Sequence, residues 1–87
     1  MSNHNNRKQK KKTRNTILLT NVHSNITLAT VYTEMCIYGF ISCIEQKKHG
    51  QEIHFLVTFK DKFVAERLIA KGMECDHGSF NPTLNKL

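Results

Sequence analysis

The segment Glu52-Ile53-His54-Phe55-Leu56-Val57-Thr58-Phe59-Lys60 decides the fold. Ile53, Phe55, Val57 and Phe59 alternate with Glu52, His54, Leu56 and Thr58. Side chains two apart on an extended chain share a face, so the segment is a strand with one wholly apolar side. That side belongs to a core. The other side carries an acid, an imidazole, a leucine and a hydroxyl, and it meets either water or a partner.

Working outward, residues 40–46 alternate again, with Phe40, Ser42 and Ile44 set against Ile41, Cys43 and Glu45. They read as a second strand. Lys47 to Gln51 is a polar connection containing Gly50, and a hairpin fits the pair. Beyond Lys60, a helix is expected from Asp61 or Lys62 to Lys71, burying Phe63, Ala65, Leu68 and Ile69 and ending at Gly72. Upstream, Thr16 to Val22 is a short apolar run that suits a buried strand, and His23-Ser24-Asn25 is its turn. Thr27 can cap a helix whose stripe is Leu28, Val31, Met35 and Tyr38. Gly39 is placed to stop that helix in the left-handed conformation. Ser79 to Leu84 reads as a last strand carrying Phe80 and Leu84. Pro82 cannot donate a ladder hydrogen bond, so that strand belongs at a sheet edge.

The charge is segregated. Of the 87 residues, 13 are Lys or Arg and 7 are Asp or Glu, a net of +6. Arg7, Lys8, Lys10, Lys11, Lys12 and Arg14 stand in a polar, Asn-rich stretch with no acid. The remaining bases and acids are equal in number, so the excess belongs to an arm over residues 1–15. Such an arm cannot bury enough surface to offset the entropy of ordering and is expected to be disordered when free. A dense basic arm beside a neutral domain over residues 16–87 points to a polyanion.

The order strand, helix, strand, strand, helix, strand predicts an α+β, ferredoxin-like βαββαβ sandwich. It has a four-stranded antiparallel sheet with two helices on one face. The other sheet face stays open, and an uncovered sheet face is a binding surface by default.

In this register the residues resemble the RNA recognition motif (RRM) family from about Thr16 to Leu84. Ile17-Leu18-Leu19-Thr20-Asn21-Val22 looks like the family's first-strand hexamer. Thr27, Val31, Met35, Tyr38, Gly39 and Ile41 fall where the family places its helix cap, helix core, glycine and next strand. Val57-Thr58-Phe59, then Asp61, Ala65 and Ile69, match its Val-x-Phe, acid and second-helix positions. The departures concern function. The family's third-strand octamer begins with a base and a glycine and carries two exposed aromatics, where this chain has Glu52, Ile53, His54 and Leu56. Leu18 replaces the exposed aromatic of the hexamer. Those rings stack on unpaired bases in the family, a contact worth about 1–3 kcal/mol per base. The platform here is therefore degenerate, with His54 its one ring.

The resemblance and the arm together imply binding of single-stranded RNA. The arm, through Arg7, Lys8, Lys10, Lys11, Lys12 and Arg14, supplies phosphate contacts. Leu18, Thr20, His54 and Leu56 supply weak base contact, and Lys47, Lys48 and Lys60 extend the basic track. The alternative is a protein-interaction or self-associating RRM, a homodimer for instance, because exposed leucines without aromatics suit a protein partner. A vaguer likeness joins residues 57–84 to RRM-like domains of Gag-like retroelement proteins.

Catalysis lacks a motif. The glycines form no phosphate loop, and no nucleophile stands at a recognisable spacing from a base. Cys36, Cys43 and Cys75 are too few for a disulfide framework. Cys75-Asp76-His77 has no second ligand pair nearby, so no metal or other cofactor is expected. No apolar run approaches the ~18 residues of a membrane span. Reduced thiols and the import-like run Lys8 to Arg14 lead to a nuclear or cytoplasmic expectation.

Overall fold

The computed structural model describes residues 15–87, so the expected contacts of Arg7, Lys8, Lys10, Lys11, Lys12 and Arg14 lie outside the described residues. Among the described residues six elements follow in the expected order: β1 (Thr16–Val22), α1 (Leu28–Met35), β2 (Ile41–His49), β3 (Glu52–Phe59), α2 (Lys62–Lys71) and β4 (Thr83–Lys86). The sheet runs β2-β3-β1-β4 with antiparallel neighbours throughout. Ile17, Leu19, Phe55, Val57 and Phe59 are buried with Val31 and Met35 of α1 and Ala65 and Leu68 of α2. Burying each of the larger side chains contributes about 1.5–3 kcal/mol, so the apolar side of β3 anchors the domain as its alternation predicts.

Two bulges adjust the alternation elsewhere. In β1, Leu19 lies opposite Phe55 while Val22 lies opposite Ile53, three residues against two. Asn21 takes up the extra length with φ 57°, a left-handed conformation asparagine tolerates. Val22 thereby returns to the core side. In β2, Ile41 pairs with Phe59 and Ile44 with Val57, so Ser42 is the surplus residue. Strict alternation over 40–46 places Phe40 with Ile44. The bulge instead puts Ile41 and Ile44 on the core face and leaves Phe40, ahead of the strand, 85% exposed.

The helices are capped as their sequences suggest. Thr27 Oγ1 accepts from the Thr30 amide at 3.2 Å, and Asp61 Oδ1 accepts from the Phe63 amide at 2.9 Å. Gly72 ends α2 with φ 78°, where a side chain would be strained. Gly39 has a different role from the one expected of it. It has no left-handed φ, but a Cβ there would stand 2.8 Å from Val64 Cγ2. The residue is small so that the α1–β2 connection can pass against α2. Val64 is accordingly packed on the core, while Phe63, expected inside, is 65% exposed. Leu28 is likewise more exposed than the α1 stripe predicts. The last strand starts later than expected. Phe80 is buried ahead of it, Pro82 precedes it, and β4 does occupy an edge.

Candidate functional site

The open face of the sheet is set by register. Leu18 lies opposite Leu56, with Asn85 on its other side; Thr16 lies opposite Thr58, and Thr20 opposite Thr83. On β2, Cys43, Glu45 and Lys47 stand opposite Thr58, Leu56 and His54. The face is a half-exposed leucine pair ringed by polar groups that bond one another. Thr16 Oγ1 and Thr58 Oγ1 share a hydrogen bond at 2.9 Å. Asn85 Nδ2 donates to Thr20 Oγ1 at 2.9 Å and to the Leu18 carbonyl at 3.1 Å. At one end of the face a shallow cleft of about 630 Å³ is lined by Asn15, Thr16, Leu56, Thr58, Lys60 and Leu87.

Of the expected site residues, Leu56 and Lys60 line that cleft, and Leu18 is the neighbour of Leu56 across the strands. Thr20 is already engaged by Asn85. His54 sits toward the hairpin end, with Nε2 3.1 Å from Glu52 Oε1 and its ring 5.6 Å from that of His49. Its side chain is only 18% exposed, so its ring is partly covered by its own neighbours. Lys47 and Lys48 are strand residues and not loop residues, because β2 continues to His49 and the turn is only Gly50 and Gln51. Gly50 has φ 67°, the positive first position of a tight hairpin. Lys47 pairs with His54 on the open face, and Lys48 with Ile53 on the other. Lys60 follows the far end of β3, about 20 Å from Lys47 at ~3.3 Å per residue, so the three lysines do not form one track.

Thr16, Asn85 and Leu87 are functional candidates the sequence reading passed over, while Thr58 lies on the side of β3 already read as outward. Thr16 shares the parity of Leu18, so period-two counting could have found it. Asn85 could not be placed without the true bounds of β4. Asn15 matters most: its side-chain amide donates to the carbonyls of Phe59 at 3.0 Å and Lys60 at 3.3 Å. Asn15, the residue ahead of β1, is thereby attached at the mouth of the cleft.

On the helix side of the domain, the His77 side chain is buried, 3% exposed, although its backbone is not. Its Nδ1 donates to Glu34 Oε1 at 2.6 Å, and its Nε2 shares a hydrogen bond with the Tyr38 hydroxyl. That hydroxyl also accepts from the Cys75 amide at 3.4 Å. Burial pushes the Tyr38 phenol above its ordinary value of 10.0. The cluster ties the loop before β4 to α1. Among the described residues no three His, Cys, Asp or Glu side chains are placed to hold a metal, and the three cysteines are free and exposed. No helix among them is long and apolar enough to cross a membrane.

An open antiparallel sheet of order β2-β3-β1-β4 backed by two helices is a ferredoxin-like fold, and solved RRM domains share it. The chain superposes on the RRM3 domain of Mip6 with a TM-score of 0.66 at 18% identity, covering 85% of this chain and 93% of that one. A second structure of the same domain gives 0.60 at 18% identity, covering 83% and 96%. No protein-family model and no curated protein matches the sequence.

Proposed function

We infer that the chain is a nucleic-acid-binding RRM module whose ligand is single-stranded RNA. The observation that carries this reading is the position of Asn15: the residue that follows the six-base stretch in the sequence lines the cleft on the open sheet face. Bases laid over Leu18 and Leu56 would leave their phosphates within reach of the arm and of Lys60. The sheet contributes apolar contact without aromatic stacking, so the arm dominates affinity. Single-stranded binding loses about 0.7 unit of log K per log salt for each phosphate neutralised. Removal of residues 1–14 should therefore flatten the salt dependence by up to about 4 units. The measurement is a salt titration of full-length and shortened protein on a short unpaired RNA. Equal slopes for the two would overturn the reading.

A second reading, a protein-binding RRM, is favoured by one observation. Ile37, beside α2, and Phe63 on α2 are large apolar side chains left well exposed on the helix side of the sheet. Alanine at Ile37 and Phe63 would weaken such an interaction without touching the RNA titration.

A further inference from the structure

We propose that a second copy of this chain adds to the outer edge of β2, antiparallel and two-fold about Gln46, joining the two sheets. Among the described residues β2 ends the sheet and pairs with a strand along one side only. After the bulge at Ser42 it runs regularly from Cys43 to His49, seven residues centred on Gln46. From Cys43 to His49 this edge carries one half-buried apolar residue, Ile44. The pleat permits few self-pairings. A slip of one residue sets the open face of one copy against the helix-side face of the other, so opposed residues must share a face.

Among the permitted registers, a two-fold at Glu45 opposes Glu45 to itself, and a two-fold at Lys47 opposes Lys47 to itself. A two-fold at Gln46 opposes Glu45 of each copy to Lys47 of the other, twice, on the open face. It also lays the Lys48 stem of each copy over Ile44 of the other. Charges on an edge strand ordinarily block pairing; here their order rejects two registers and favours the third. Such an axis stands perpendicular to the sheet, so both open faces look the same way and form one continuous surface. The proposal stands apart from the RNA reading, because its test contains no nucleic acid.

The test is sedimentation equilibrium of the full chain at physiological salt, over a concentration range reaching millimolar. Wild type should show a monomer–dimer equilibrium. Glu45→Lys and Lys47→Glu should each weaken it at least about tenfold, since two facing opposite-charge pairs become like-charge pairs. An equimolar mixture of the two variants should associate one to one near wild-type strength, because lysines then face glutamates again. The double variant E45K/K47E, self-complementary in one chain, should recover as well. A wild type that stays monomeric throughout, single variants that associate unchanged, or a mixture and double variant that both stay weak would each overturn the proposal.

Discussion

The helix-side face of the sheet and its open face are made by the same strands and finished in different ways. On the helix side, Phe55, Val57 and Phe59 are removed from water entirely, and packing alone holds them. On the open side, Leu56 and Thr58 are half covered, and hydrogen bonds between neighbours do the work: Thr16 with Thr58, Asn85 with Thr20, Glu52 with His54. Among the described residues no buried side-chain polar atom lacks a partner. The open face can therefore stand uncovered in the free protein without orphaned groups, while its leucine pair still offers apolar area to a ligand. The difference teaches that one face specifies the fold and the other is free to be specialised.

Adjacent substitutions test that contrast most directly. Phe55→Ala should destabilise the domain by about 3–5 kcal/mol, through lost transfer energy and the cavity left behind. Leu56→Ala, one residue along on the other face, should cost below about 1 kcal/mol, in keeping with the small effects of partly exposed sites. Urea unfolding of both variants measures the gap; equal losses would mean that the open face is also a core.

A smaller effect probes how the helix layer is seated. Gly39→Ala should cost about 1–3 kcal/mol as an overpacked contact, because the added methyl meets Val64 Cγ2 at 2.8 Å. Val64→Ala in the same chain should recover part of that loss, a coupling readable from the double-mutant cycle. Additive losses would remove the close approach as the reason for glycine.

The smallest effect lies in the cluster around His77. Tyr38→Phe should cost about 0.5–1.5 kcal/mol near neutral pH for the lost hydrogen bond. The phenol is raised in the folded chain relative to 10.0. The unfolded chain therefore loses its proton first, and wild-type stability falls as pH climbs from about 10 through the folded value. The gap between wild type and Tyr38→Phe should narrow over that window in thermal melts. A gap that holds constant there would detach Tyr38 from the alkaline response.

Much of this was legible in the chain itself. Ile53, Phe55, Val57 and Phe59 announce their strand because period two is a local property, and Thr27, Asp61 and Gly72 announce helix ends because capping involves residues two to four apart. Their order led to the RRM-like topology. The candidate face was half legible: Leu18 and Leu56 follow from parity, whereas Asn85 depends on where a four-residue edge strand begins. The errors cluster where distant segments meet. Ser42 bulges so that both Ile41 and Ile44 reach the helices, which no pattern within residues 40–46 reveals.

By itself, then, the sequence determined which segments extend, which coil, and that the excess positive charge falls within residues 1–14. All of these depend on neighbours along the chain. Tertiary structure alone decided that Gly39 yields space to Val64, that His77 bridges Glu34 and Tyr38, and that Asn15 ties the start of β1 to the cleft. Each of those joins residues at least 25 positions apart, where contact is set by how the layers stack and not by any local periodicity.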